Sequence, residues 1–510
     1  MPRSAIIQPS FASGEVSPWL HGRVDLAKYF VGLRQLQNAL VMMYGGANRR
    51  TGSRFVCFSK GTNEEYPERL LRFKFSEEQA YVIEAGGGYF RFFMDHGQIV
   101  EPEDETVAYE LVTPYTEEEV WELTYVQSAD LMYIFHVNHQ PQLLSRSGHA
   151  DWTLEPFEFA WGPFEKQTEE YYYPGGVTFW FRPAPWQPGT ENTITATKDF
   201  FDMDRLEDYV GRQVAVFYGN PADLDPGAYG EQWGVMKFLE VIDKRRVRAL
   251  CLKEIAHKGA YAPGGINLRM GAFWKAGTWP GAVFLHQQRL VVGGSLAKPD
   301  TFWASQAGDY PNFFFGIDPG DGYQFTLGSS EVNAIRQITG ANRLIPLTAG
   351  SEWSVSGSRT DAIEPDSVFA AEQSSHGSNR VRATRIGPAI IFCQRMGRKV
   401  RQLLYSFETD GMNSENLSIL SEHITKSGIR DMAYAQELDS VLWCVREDGV
   451  MAALTYEPNQ QVVGWSRHVT DGKYRSVASI PHPDNIQDDV WLVVERDVGQ
   501  LPMATNSPPE

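Results

Sequence analysis

At 510 residues, 42% of them apolar and including 14 Trp, 22 Tyr and 29 Phe, the chain exceeds one ordinary core. Two or three domains are expected, or one large propeller with additions. A formal net charge of −18, with a pI near 5.1, repels nucleic-acid phosphates and excludes specific DNA reading, while leaving room for a body that encloses DNA without gripping it.

The opening stretch Met1–Pro18 has one early Arg and no sustained apolar core, so a secretion signal is not expected there. No run approaches the ~20 apolar residues of a membrane-spanning helix, and the chain reads as soluble. Cys57, Cys251, Cys393 and Cys444 are far apart, the usage of reduced thiols and not of a disulfide framework. Ser13-Gly14-Glu15-Val16-Ser17-Pro18 is turn-like. From Leu20 to Leu40 the apolar residues Val24, Leu26, Tyr29, Phe30, Leu33 and Leu36 fall near helical spacing. Tyr44 to Val56 then sets Arg49, Arg50 and Arg54 among glycines. The Gly46–Gly52 spacing is wrong for a phosphate loop, its Lys is missing, and a strand follows instead of a helix. A basic docking loop for acidic partners is the better reading, with Arg49, Arg50 and Arg54 as contact residues.

From Ala80 onward a strand–turn–strand layout recurs. Its clearest copy is Asp439–Tyr456, where Glu447-Asp448-Gly449 separates two apolar runs, because Gly tolerates the positive φ of a tight turn. Markers at Tyr81, Leu131, Leu290, Leu344, Ala389, Val441 and Trp491 are separated by 50, 159, 54, 45, 52 and 50 residues. A period of ~40–50 residues with several strands per unit is the signature of propeller blades. In the second copy His136 and His139 suggest a metal pair, but residues i and i+3 of a strand point to opposite faces and no nearby Cys or carboxylate pair completes a site, so no metal is expected.

The long step between Leu131 and Leu290 breaks the pattern. Pro-rich turns, a Thr-rich strand at Thr193–Thr197 and a long hairpin turning at Asp243-Lys244 point to an inserted β-barrel or sandwich over residues 165–275. Asp223–Gly227 and Asp318–Gly322 are rich in Asp, Pro and Gly. Neither has the twelve-residue calcium pattern with its terminal Glu, so both read as turns. From Trp279 the repeats resume, and Arg380–Arg401 carries seven basic residues, a second candidate docking face at Arg395, Arg398 and Lys399. The fold expected is therefore mainly β: a propeller of six to eight blades with an inserted β domain and an amino-terminal arm. The divisions are an arm at 1–60, first blades at 61–164, the insert at 165–275, remaining blades at 276–500 and a disordered tail at 501–510. No nucleophile elbow or other catalytic constellation stands out, so neither an enzyme nor a cofactor site is expected.

The stretch FASGEVSPWLHGRVDLAKYFVGLRQLQNALVMMYGGANRRTGSRFV resembles the amino-terminal signature of tail nozzle proteins (tail tubular protein B) of short-tailed bacteriophages, and the later runs are similar to members of that group as far as Arg496. The resemblance implies a structural virion protein, assembled in the bacterial cytoplasm as a homo-hexamer. It would lie below the portal and head–tail adaptor ring, beside tail fibres or spikes, with double-stranded DNA passing through without specific binding. An acidic channel wall is then expected, because like charge keeps DNA from sticking while it slides. The alternative is a glycan- or receptor-binding tail propeller, motivated by Trp180, Trp186 and Trp233 in the insert.

Overall fold

The run Ala80–Gly86, wholly apolar but for Glu84, shows why each unit becomes a blade. Tyr81, Ile83 and Ala85 face the next unit and pack with Leu71, Phe73, Phe90 and Phe92 against Met132, Ile134, Leu144 and Trp152. The alternate residues Ala80 and Val82 face the opposite way, onto Ala478 and Ile480 at the far end of the chain. A strand covered on both faces needs apolar side chains at every position, so its period of two vanishes from the sequence. The turns that return the chain use positive φ where it is required, as at Gly88 and Gly449.

The computed structural model describes residues 8–61, 63–76, 78–165, 179–181, 186–218, 233–254, 266–328, 333–357, 362–408, 411–484 and 486–497. Within them, seven consecutive antiparallel sheets form a ring. The first blade comprises Arg69–Lys74, Ala80–Gly86, Tyr89–Met94 and Glu110–Val112, from axis to rim. The second is Thr124–Ser128, Leu131–His136, His139–Gly148 and Asp151–Pro156, and the third Ala282–His286, Arg289–Gly293, Thr301–Ala304 and Tyr323–Thr326. The fourth is Ile335–Gly340, Leu344–Thr348, Glu352–Ser356 and Phe369–Ser374, and the fifth Thr384–Ile386, Ala389–Cys393, Val400–Ser406 and Gly411–Asn416. The sixth is Ile429–Ala435, Val441–Arg446, Met451–Glu457 and Val462–His468. The seventh has two strands only, Lys473–Pro481 and Asp488–Glu495. The protein is a β-propeller with an inserted β domain and an amino-terminal arm.

Neighbouring blades are tied near the axis by side chains that bond to backbone. Arg69 donates to the carbonyls of Val120, Trp121 and Leu123, joining the first blade to the second. Gln337 donates to the carbonyls of Asn379 and Val381 and accepts from Ala383 N–H, joining the fourth to the fifth. The ring closes through buried Asp431 of the sixth blade. Its Oδ2 accepts from Ser476 Oγ (2.6 Å) and Val477 N (3.1 Å) in the seventh, and Ser476 Oγ in turn accepts from Leu70 N (2.9 Å) in the first.

Between the second and third blades lies the insert. Phe179–Phe181, Glu191–Ala196, Arg246–Lys253, Gly234–Asp243, Gln213–Tyr218 and Ile266–Met270 pair in that order as one antiparallel sheet. It curls around a single core of Ile194, Val214, Met236, Phe238, Val247 and Leu268. Its other face, through Phe164, Ala215, Trp233 and Val235, packs on Phe314 of the third blade. Among the described residues all four cysteines are free thiols, three of them buried, and no helix is long and apolar enough to cross a membrane.

The arm departs from the helical spacing expected for Leu20–Leu40. It folds as two 3-10 turns, Pro18–Leu20 and Ala27–Val31, with short strands at Gly14–Glu15 and Gly32–Leu33. Gly22 sits at φ +91° and Gly32 packs against Val16, so an uninterrupted helix never forms and Val24 and Phe30 stay exposed. The predicted tail at 501–510 lies outside the described residues.

Candidate assembly surface

The arm is locked onto the sixth blade by the motif that begins it. Gly14–Glu15 adds a parallel strand beside Val462–His468, with Gly14 opposite Trp465. A Cβ on Gly14 would stand 2.5 Å from the backbone N and O of Trp465, and φ there is +61°, so only glycine fits. Glu15 is 1% exposed. Its Oε1 accepts from His423 Nε2 (2.7 Å) and Arg467 Nη2 (2.7 Å), and its Oε2 accepts from Leu36 N (2.9 Å) and Arg467 Nε (3.2 Å). Burial alone would raise its pKa; these bonds outweigh burial and hold it below the usual carboxylate value. Ser421 Oγ donates to the Glu15 carbonyl and Ser17 N–H to that of Leu420, so the backbone is pinned on both sides.

Farther along, Ala39–Val41 and Ala47–Arg49 form a hairpin whose Val41 carbonyl accepts from Thr455 Oγ1. Leu40 packs on the same cluster as Val490, Leu492 and Val494 of the two-stranded seventh blade, while Val56 and Cys57 pack beside Trp491 and Val493 on its other face. The arm thus covers apolar side chains on both faces of the two-stranded blade.

The arm also shows large apolar side chains to solvent. Trp19 is 91% and Tyr44 88% exposed, and Val24, Phe30, Phe55 and Phe58 are exposed as well. Large apolar side chains gathered on one segment of a folded surface mark a site of association. Arg49 and Arg54 are exposed on this same arm, and Arg50, half-buried, donates to the Thr51 carbonyl. Arg395, Arg398 and Lys399 are exposed around Met396 and Gly397 at the tip between Ala389–Cys393 and Val400–Ser406. The two basic groups therefore stand on separate elements. Sequence patterning does not single out Trp19, Tyr44 or Glu15. The available signal for the first two is an aromatic beside Pro18 or Gly45; Glu15 gives none, since its charged partners His423 and Arg467 lie more than 400 residues away.

His468, on the strand that carries the arm, is fully buried beside Trp443. Burial, with a smaller contribution from the Arg50 charge, pushes its pKa down to about 3. The unfolded chain takes up this proton near pH 6.5 and the folded chain does not until about 3, so stability rises with pH across that window. Between pH 7 and pH 4 the wild type should lose about 3 kcal/mol more than His468→Gln, read from denaturant midpoints.

Across the axis, Arg380 of the fifth blade pairs with Glu122 before the second (2.9 Å), Arg382 lies 3.9 Å from the Tyr125 ring, and Arg430 of the sixth lies 4.3 Å from Trp121. These contacts join non-adjacent blades and so bridge the hole of the ring. A single chain offers no passage for a duplex.

In the insert, Trp233 is 1% exposed and offers no stacking face, and Trp186 is partly buried against the core; the side chain of Trp180 lies outside the described residues. Asp223–Gly227 also lies outside them. In Asp318–Gly322 the carbonyls of Pro319, Gly320 and Asp321 accept from buried Arg289, so a protein cation takes the place a calcium ion would need. The strand geometry expected for the histidines needs correction: His136 and His139 pair across a two-residue turn, so their rings face each other with centroids 5.4 Å apart, and Glu119 stands against them.

No protein-family model matches the chain, and no curated protein does. Among solved structures it is similar to the WD40 domain of Neurospora crassa Pan2 at 7% identity, covering 72% of this chain and 87% of that one, with a TM-score of 0.31. Kluyveromyces lactis Hsv2p matches at 9% identity over 79% and 97%, with a TM-score of 0.30. Apo AztD from Citrobacter koseri matches at 8% identity over 81% and 88%, with a TM-score of 0.34. Likenesses of that size carry no argument; the propeller rests on the strand order and the ring of blade contacts.

Proposed function

We propose that the chain is a structural subunit of a short bacteriophage tail, a homo-hexameric nozzle below the portal and adaptor through which double-stranded DNA leaves for the host. The observation that carries this reading is the arm. The residues that resemble the nozzle signature, Phe11–Val56, form a separate element clasped to the propeller, and they present Trp19, Tyr44, Phe30 and Arg49 outward. In a ring each interface joins two different patches, so an apolar, basic arm meeting a neighbour's acidic flank suits a chain of net charge −18. Because each propeller's own axis is bridged, DNA would pass between copies, along a channel that the ring creates. The role is architectural, with no reactive centre.

The full-length protein should run as a ring with rotational symmetry and a central hole in negative-stain images, and Trp19→Glu with Tyr44→Glu should reduce it to folded monomers of unchanged circular dichroism. A wild-type monomer at tens of micromolar, with no larger species in images or light scattering, would refute the proposal.

A further inference from the structure

The turn His136-Val137-Asn138-His139 lies where the chain enters the second blade, under a short helical turn, Glu117–Val120. That turn is fixed by a reciprocal cap: Thr116 Oγ1 accepts from Glu119 N, and Glu119 Oε2 accepts from Thr116 N. The cap aims the Glu119 carboxylate at the two imidazoles. Its Oε2 is 2.8 Å from His139 Nε2 and its Oε1 is 4.0 Å from His136 Nδ1, and one donor atom from each residue lies within 4.8 Å of the others. His136 is 2% exposed, and its Nε2 has no hydrogen-bond partner. Beyond that nitrogen, at 3.5 Å, stands Glu122, itself held by Arg380. The buried phenol of Tyr115, whose ring lies 5.3 Å from His139, likewise has no partner. Buried polar atoms without partners are uncommon, and two beside one carboxylate and a histidine pair indicate a group that belongs among them.

We infer that Glu119, His136 and His139 form a binding site for a divalent transition-metal ion of the zinc class, with Glu122 as the carboxylate behind His136. Two imidazoles and a carboxylate are nitrogen and oxygen donors that suit zinc, nickel or cobalt better than calcium or magnesium. Bonds of ~2.0–2.1 Å to an ion between them need the hydrogen-bonded Glu119–His139 pair to open slightly and the longer separations to close. His136 would bind through Nδ1, displacing a long 3.3 Å contact from Asn138 N, and turn its Nε2–H to Glu122, the arrangement that fixes a metal-bound imidazole. Glu119, Glu122 and His139 are partly exposed, which gives an ion its way in. The ion would tie the helical turn to the hairpin.

Chelator-treated full-length protein titrated with zinc chloride should bind one tight equivalent by calorimetry, raise its melting temperature, and give with cobalt(II) the absorption of a four- or five-coordinate site. His139→Ala and Glu119→Gln, each checked for folding by circular dichroism, should weaken binding by about 100-fold or more, and Glu122→Gln by roughly 10–100-fold. A second cluster, His96, His482 and Asp489, supplies the control. Binding lost in His96→Ala and retained in His139→Ala would overturn the assignment, as would protein that takes up no zinc at micromolar concentration.

Discussion

Glu15→Gln is expected to unfasten the amino-terminal arm, costing about 3 kcal/mol of stability. The carboxylate presents two acceptor oxygens, and each faces donors: His423 Nε2 and Arg467 Nη2 on one side, Leu36 N–H and Arg467 Nε on the other. An amide has one acceptor and one donor. Whichever way it settles, its NH₂ points at N–H groups in a space closed to water. Removing one partner of a buried pair costs ~3–5 kcal/mol; the partial exposure of Arg467 and His423 keeps the figure at the lower end. Because the folded pKa of Glu15 lies below its unfolded value, this stabilisation is complete above pH ~4.5 and fades as pH falls through the lower folded value. The signature of the variant is therefore a drop in denaturant midpoint at pH 7 that narrows in acid, with early proteolysis within residues 17–58. An unchanged midpoint and intact arm would mean that the 3-10 turns and hairpin hold the arm without their anchor.

How much of this is legible in the sequence depends on how far apart the cooperating residues are. The hairpin at Glu447-Asp448-Gly449 can be read because its strands and its positive-φ glycine lie within twenty residues. The blade period can be read because each unit repeats that local problem. The insert announces itself by breaking the period, though its single curled sheet cannot be told from a sandwich, since both bury alternate residues. The arm imitates a helix: Val24, Leu26, Phe30 and Leu33 have the spacing, but Gly22, Gly32 and the pairing of Gly14 with Trp465 decide the backbone, and that partner is some 450 residues on. The histidine pair looks unpromising on an unbroken strand, because the turn between the two residues is hidden and Glu119 lies on another element. The basic residues at 49–54 and 395–399 are visible as charge. Their separation onto the arm and the fifth-blade tip is not, because it depends on the closed ring.

Asp431→Ala should open the ring at its seventh blade, at a cost of about 3 kcal/mol. The two-stranded blade has one strand pairing where its neighbours have three, and its inner strand joins the chain's last blades to its first through apolar packing and one buried hydrogen-bond relay. Leu70 N–H donates to Ser476 Oγ, whose hydroxyl donates to Asp431 Oδ2, while Val477 N–H and Met432 N–H also end on that carboxylate. Alanine leaves three buried donors without acceptors, each costing roughly 1–3 kcal/mol less whatever water recovers. Burial pushes the Asp431 pKa up, against weaker help from Arg69 and these donors, so the folded chain holds this proton to higher pH than the unfolded one. Its ionisation therefore subtracts from stability as pH rises above 3.8 through the folded value. An asparagine side chain cannot ionise and keeps one acceptor oxygen, so Asp431→Asn should lie between the alanine variant and wild type at neutral pH. Hydrogen exchange reads the outcome directly. In Asp431→Ala, amides of 473–495 and 69–74 should exchange well before those of the third and fourth blades, whereas uniform exchange across all seven would place the weakest joint of the ring elsewhere.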